Sequence, residues 1–267
     1  MLYNTQNMSL DYLAKKNAHE RDNHITFDEG PHIYTIDGDS GFTSVTTWNH
    51  SHFENFDADT IISNMMQSSR WPQNKYFGMS ADEIKAAWDK NRDEAAAAGT
   101  KMHYDIECYY NNMEVHNESV EYNYFKNYLE SYGHLKPYRT EWMVYHEELK
   151  LAGSIDMVYE CDDNSGDLLI YDWKRCRDIK KVNGFGKSAN KECIEHLPDT
   201  NYWHYALQLN TYKAILEQKY GKKVRELYLV CLHPNNANYQ RIKVVDLQKE
   251  VSDLFEYRKK SLNICNK

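Results

Sequence analysis

Proline and glycine are scarce, 5 and 11 in 267 residues, while 41% of the chain is hydrophobic. Collagen-like and low-complexity readings are thereby excluded, and enough apolar side chain is left for one sizeable core, in one domain or at most two. Cysteine is thinly spread. The six, at 108, 161, 176, 193, 231 and 265, never come closer than 15 positions. Without a CxxC, zinc-ribbon, thioredoxin-type and compact iron–sulfur readings lose their usual support. No apolar run approaches the ~20 residues of a membrane helix, and Met1–Lys16 shows no charged-then-apolar leader. The expectation is a soluble, intracellular chain with reduced cysteines and no membrane partner. Positive charge is also in deficit: 32 Lys and Arg stand against 40 Asp and Glu, a formal −8. A field of that sign repels phosphate backbones, so nucleic-acid binding would need a local patch or metal ions. What is abundant is tyrosine, 22 residues beside 6 Trp and 8 Phe, side chains suited both to cores and to base-stacking surfaces.

Local pattern gives the elements. Ile25–Ile36 alternates loosely into the turn cluster Asp37-Gly38-Asp39-Ser40-Gly41, and Phe42–Trp48 is again β-prone, which predicts a small N-terminal hairpin. Asp57 or Asp59 can cap a helix reaching about Ser69. Ser80 and Glu83 form a capping box for a helix through the Ala95–Ala98 run, with Gly99 as its stop and Thr100 as the cap of a further helix to about Tyr110. Val120–Tyr132, closed by Gly133, has helical spacing. From Tyr138 the period becomes two. Tyr138–Tyr145, Leu149–Tyr159 and Leu168–Arg175 read as an antiparallel meander, followed by a polar stretch, a helix over Thr200–Tyr220, strands at Val224–Leu232 and Tyr239–Val245, and a terminal helix over Leu247–Leu262. This order predicts an α/β fold with a mixed central β-sheet flanked by helices.

The densest chemistry is Gly153-Ser154-Ile155-Asp156, followed 16 positions later by Asp172-Trp173-Lys174. Strand alternation places Asp172 and Lys174 on one face, their Cα atoms ~7 Å apart, and Asp156 on the neighbouring strand can reach the same point. Crowded carboxylates disfavour ionisation, and a divalent cation relieves that. Hard oxygen ligands suit Mg²⁺ or Mn²⁺, as one or two ions, with Lys174 placed to orient or help deprotonate a water or to neutralise charge on phosphate. Alone, a DxK pair is usually a solvated strand edge. Further residues add to it. Gly99-Thr100-Lys101-Met102-His103 sets a histidine on a helix with Glu107 on the same face at i+4; His103 is a possible extra ligand or a structural histidine, and Glu107 a supporting group or plain helix surface. Glu141 opens the strand before Gly153, as a surface charge or a contact to the centre. Gln208 and Tyr212, at i and i+4 among Trp203, Tyr205 and Leu209, form either an aromatic packing face or part of the site.

In the order GTxxH, E, GxxD, DxK and QxxxY, these residues resemble the RecB-type nucleases of the PD-(D/E)XK superfamily across Gly99–Tyr212, 114 of 267 residues. Within that group the chain is similar to compact, helicase-free members such as the mitochondrial genome maintenance exonuclease and related phage and large-virus exonucleases. Pro31–Gly38 followed by Ser44-Val45-Thr46-Thr47 is similar to their leader region. The resemblance implies a restriction-endonuclease-like core in a single nuclease domain over 1–267: a hairpin and helical wall at 1–98, the catalytic core at 99–245 and a terminal helix at 246–267. It implies that His103, Asp156, Asp172 and the carbonyl of Trp173 bind metal, that Lys174 is catalytic, and that Gln208 and Tyr212 organise the site or touch DNA. The activity it implies is metal-dependent phosphodiester hydrolysis, by an exonuclease on single-stranded DNA ends in repair, recombination or replication, with replication or recombination proteins as partners. A structure-specific endonuclease and an inactive DNA-binding recombination accessory protein are the alternatives. The cysteine cluster of iron–sulfur relatives is missing, so no such cofactor is expected.

Between Lys174 and Lys191 stand Lys174, Arg175, Arg177, Lys180, Lys181, Lys187 and Lys191 against Asp178 alone, a surplus of six in a chain that is otherwise strongly acidic. A basic loop is commonly a solvated connection; beside the proposed site, Arg175, Arg177, Lys180, Lys181 and Lys187 are candidate DNA contacts that close on the strand. Gly184-Phe185-Gly186-Lys187-Ser188 imitates the end of a phosphate-binding loop, but the pattern needs glycine where Lys181 stands, so ATP is not expected. His50-x-His52 reads as a turn or cap, and Trp71, Trp88 and Trp142 as core or partly buried surface.

Overall fold

The computed structural model describes residues 10–265. The reading of Met1–Lys16 falls in part on residues 1–9, outside the described residues. The chain forms two compact units: the described residues up to Glu54 together with those from Met102 onward, and Asn55–Lys101.

The N-terminal part contains α1 (Tyr12–Lys16), β1 (Ile25–Asp28), β2 (Ile33–Ile36), β3 (Thr43–Ser44) and α2 (Val45–His50). The hairpin is tighter than its sequence suggests. β1 and β2 pair antiparallel from Ile25↔Ile36 to Asp28↔Ile33, so the chain reverses before Ile33 and not at Asp37–Gly41. Phe42–Trp48, expected as the second arm, is a strand for two residues and then a helix. Ser44 turns it, because its Oγ accepts a hydrogen bond from Thr47 N at 3.0 Å and caps α2.

The smaller unit holds α3 (Ala58–Gln67), whose cap is Asp57, with Thr60 N donating to Oδ1 at 3.1 Å. It also holds the start of α4 (Ala81–Tyr110), where Ser80 N donates to Glu83 Oε2 at 2.7 Å in the expected capping box. The expected break at Gly99 does not occur. Gly99 lies inside one 30-residue helix, and a side chain there would meet nothing within 4 Å. An interior glycine costs a helix only about 1 kcal/mol, too little to end one with good helix formers on both sides.

The remaining elements are α5 (Val120–Tyr132), β4 (Lys136–His146), β5 (Leu151–Glu160), β6 (Leu168–Lys174), α6 (Asn201–Lys219), β7 (Val224–Cys231), β8 (Gln240–Lys243) and α7 (Gln248–Cys265). β4, β5 and β6 form the antiparallel meander that the alternation predicts. α6 is the crossover that returns β7 parallel to β6, and β8 closes that edge antiparallel, which makes the sheet mixed. β5 has β4 along one edge and two partners on the other: β3 at Leu151–Ala152 and β6 at Met157–Glu160. Residues 153–156 of β5 therefore lie in a gap where the sheet is split.

Two cores cover the sheet. One joins Ile155, Leu168, Ile170 and Leu229 to Leu209, Tyr212, Ile215 and Leu216 of α6. The other joins Tyr171, Trp173 and Val230 to Met102 and Ile106 of α4 and Phe125 and Tyr128 of α5. Alternation along β6 thus points Leu168, Ile170, Asp172 and Lys174 towards α6, and Tyr171 and Trp173 away from it. Among the described residues no helix is long and apolar enough to cross a membrane.

Candidate active site

The split in the sheet is where the charged residues gather. Asp172 and Lys174, the last α6-facing positions of β6, are little exposed (4% and 18% of their side chains), and the Lys174 ammonium stands 2.7 Å from Asp172 Oδ2. The two form a buried ion pair, each charge compensating the other's loss of water. The ammonium also sits 4.7 Å from the ring centre of Tyr205, one turn into α6.

Across the gap, Asp156 Oδ2 accepts a hydrogen bond from Trp173 N at 2.9 Å, which bridges β5 and β6 where the ladder has stopped. The alternation of β5 breaks here: Ile155 belongs to the core against α6 and Met157 to the opposite one. The neighbouring strand is irregular at the same level. Pairs Thr140↔Met157 and Trp142↔Ile155 set Glu141 opposite Asp156, and Glu141 has a φ of +40°, a left-handed conformation that is costly for a side chain of this size. Its Oε2 accepts from Ser154 Oγ at 2.7 Å. From α4, His103 donates through Nε2 to the Trp173 carbonyl at 2.8 Å, leaving Nδ1 3.5 Å from Asp156 Oδ2 and 3.8 Å from Glu141 Oε1.

The electrostatics record the crowding. Burial pushes the Asp172 carboxyl up to about 6, with Asp156 adding to it and Lys174 opposing. Burial likewise raises Asp156, opposed by His103 and reinforced by Glu141. Glu107 is pushed up to about 7 by burial and then by Glu141. Burial pulls the His103 imidazole down, but Asp156 and Glu141 outweigh it and hold the group at about 9, as the local counter-charge. The same contest holds Lys174 above the ordinary lysine value: burial lowers it, and Asp172 and Asp156 more than offset that.

This donor set fits a hard divalent cation. One ligand atom each from His103, Glu141 and Asp156 lie within 4.8 Å of one another, the Asp172–Lys174 pair adjoins them, and the raised carboxyls of Asp156, Asp172 and Glu107 gain from a positive charge. Sequence reasoning brought together His103, Asp156, Asp172, Trp173 and Lys174. It left Glu141 as a surface charge or a contact to the centre, and Glu141 stands among the nearest candidate ligands while Asp172 is engaged with Lys174. Glu107 lines a cavity of about 350 Å³ with Glu141, Arg139 and Thr140. Tyr212 is buried against Gly153, where a Cβ would fall 2.7 Å from the Tyr212 hydroxyl. Gln208 reaches Thr46 Oγ1 at 3.4 Å.

Tyr34 of β2 was missed. Burial, then the Glu141 and Asp156 carboxylates, push its phenol up to about 12, which places it beside the charged group. Its only sequence signal was membership of the Pro31–Gly38 segment. Also unforeseen, Cys176 and Cys231 bring their sulfurs to 3.6 Å just beyond Lys174, a pairing of positions 55 apart that β6 and β7 create.

The basic segment is irregular but pinned. Lys180 N donates to Asn201 Oδ1 at 2.9 Å, Asn201 Nδ2 to Asp178 O at 2.7 Å, and Trp203 Nε1 to Lys181 O at 2.9 Å. Its cations differ in surroundings. Arg175 is largely buried, its Nε 2.7 Å from Glu121; Lys187 pairs with Glu54 at 2.6 Å; Lys181 lies 4.4 Å from the Tyr202 ring centre. Arg177, 68% exposed, lies 3.9 Å from Asp178, and Lys180 is exposed. Trp142 is fully buried core, and Trp88 donates to Tyr76 Oη at 2.8 Å.

Comparison with known families matches residues 55–264 to the PD-(D/E)XK nuclease superfamily. No curated protein matches the chain. Among solved structures, the crystal structure of SSO0001 is similar at 12% identity, over 94% of this chain and 85% of that one, with a TM-score of 0.35. A protein of Eubacterium rectale, provisionally named an exonuclease, is similar at 13% identity, over 84% and 79% of the two chains, with a TM-score of 0.32.

Proposed function

Because the chain belongs to the PD-(D/E)XK nuclease superfamily, we propose that it is a Mg²⁺- or Mn²⁺-dependent deoxyribonuclease of the RecB type, an exonuclease acting on single-stranded DNA ends during repair, recombination or replication. The observation that carries the reading is the meeting of His103, Glu141 and Asp156 beside the Asp172–Lys174 pair, in the split between β5 and β6.

His103, Glu141 and Asp156 would hold the cation, with Asp172 and the Trp173 carbonyl adjoining. When bound, such an ion supplies Lewis acidity and a water of lowered pKa. The chain's own residues supply the rest. Lys174, its charge fixed by Asp172 and the Tyr205 ring, faces the gap as an ammonium and stabilises negative charge that grows on the scissile phosphate. Ser154 fixes the Glu141 carboxylate, and Trp173 N fixes that of Asp156. Tyr212, seated on Gly153, keeps α6 close to the strand that carries Asp156. Arg177, Lys180, Lys181 and Lys187 provide the positive patch that a −8 chain needs to hold a phosphate backbone.

The test uses end-labelled linear DNA beside covalently closed single-stranded circles, with Mg²⁺ or Mn²⁺. Loss of label from linear strands with circles intact is the expected result. Cut circles would make the protein an endonuclease, and no metal-dependent cleavage of either would leave a DNA-binding accessory protein.

A further inference from the structure

The loop that follows Lys174 borders an open cleft of about 630 Å³, lined by Arg177, Lys180, Val182, Asn183, Phe185 and Thr200 among others. Cys176, two residues beyond the proposed catalytic lysine, forms one wall, so the cleft adjoins the active site along the chain. Its volume lies in the range that takes a small ligand or one unit of a polymer.

Phe185 is 88% exposed and Val182 76%, the two most exposed large apolar side chains among the described residues. Both line the same cleft together with Arg177 and Lys180, an exposed apolar pair beside cations, which is the make-up of a binding surface. The loop holds Phe185 there by construction. Asn183 Oδ1 accepts from Phe185 N at 3.1 Å and Lys187 N at 3.2 Å, while Nδ2 donates to Lys187 O at 2.6 Å and Asp199 O at 3.1 Å. One side chain thus ties both ends of the 184–187 turn, and Gly186, at φ +66°, allows the reversal. Around the ring, Arg177 and Lys180 are exposed, while of the two lining acids Asp199 is committed to His204 at 2.8 Å and Asp178 sits beside Arg177.

We propose that this cleft is a nucleobase-binding subsite: Phe185 stacks on an unpaired base of the DNA strand, and Arg177 and Lys180 hold the flanking phosphate. The subsite rests on the nuclease reading and supplies a reason for single-strand preference. A paired base within a duplex has both faces covered by its neighbours and offers none to Phe185, whereas an unstacked base offers its full π-face.

The test is binding of a single-stranded oligonucleotide carrying one 2-aminopurine, followed by anisotropy and by base fluorescence, with Phe185→Ala, Phe185→Trp and an abasic strand. Phe185→Ala is expected to weaken single-strand binding about 5- to 150-fold, the loss of one base–aromatic stack, and to abolish the quenching of 2-aminopurine. Phe185→Trp restores both, and the abasic strand binds wild type and Phe185→Ala equally. Unchanged affinity and quenching in Phe185→Ala would overturn the proposal, as would no binding of single strands by wild type. Cleavage with Mg²⁺ or Mn²⁺ is scored separately: wild-type cleavage with an indifferent Phe185→Ala removes the subsite alone, and stacking without any cleavage removes the nuclease reading alone.

Discussion

A Cβ at Gly153 would lie 2.7 Å from the Tyr212 hydroxyl and 2.9 Å from its Cε1, so this position is glycine because an α6 side chain occupies the space. Gly153→Ala is expected to destabilise the protein by about 1–3 kcal/mol, as overpacking does. In a Tyr212→Ala background the same change should cost much less, a coupling that a double-mutant cycle in urea measures; equal costs in both backgrounds would contradict the contact. The spacing of Gly153, Asp156, Asp172 and Lys174 was legible because residue type and strand alternation carry it. Glu141 was legible as a charge but not as a close neighbour of Asp156 and His103. Its left-handed φ depends on the surrounding sheet, and no local pattern announces a glutamate in that conformation. Tyr34 was illegible for a related reason: only folding brings the hairpin to Asp156.

At the level of elements, helices and strands with their own caps and alternation were readable, and pairings between distant segments were not. Ser80 with Glu83, Asp57 and the β4–β5–β6 meander follow their sequences. The sharing of one β5 edge by β3 and β6, which opens the gap at 153–156, depends on residues more than a hundred positions apart. Gly99 misled because a glycine after an alanine run is a common helix end, yet helix formers continue beyond it. Since nothing stands where its side chain would go and α4 passes through it, Gly99→Ala is expected to raise stability by about 0.5–1 kcal/mol. A higher urea midpoint at unchanged slope would bear this out; a fall would mean that the position is not regular helix.

For the whole molecule, part of the acidic balance that argued against a nucleic-acid substrate lies in carboxylates at a site suited to a cation, and positive charge is gathered in a basic segment beginning at Lys174. Two buried histidines outside the site contribute to the acid response of the fold. Burial, then Lys191 and Arg258, hold His52 at about 4, and burial, then Lys219, hold His146 at about 4. An unfolded histidine titrates near 6.5. Between 6.5 and 4 the unfolded chain therefore binds more protons, and the stability present above 6.5 is lost as pH falls through that window, by at most about 3 kcal/mol per histidine. Glu107 and Asp172, raised to about 7 and about 6, act in the opposite sense over the same window, so the histidine part is read as a difference: from pH 7 to pH 5 the urea midpoint of His146→Gln should fall less, or rise more, than that of wild type, and parallel profiles would contradict the burial of His146 as a neutral ring. The most direct measurement of the central claim is hydrolysis of a single-stranded oligonucleotide by wild type, Glu141→Gln, Asp172→Ala and Lys174→Ala, with Mn²⁺ and with chelator. The account predicts cleavage that requires the metal and falls at least about 10²-fold in each variant with the fold intact; cleavage that survives chelation, or that Asp172→Ala and Lys174→Ala leave unchanged, would contradict it.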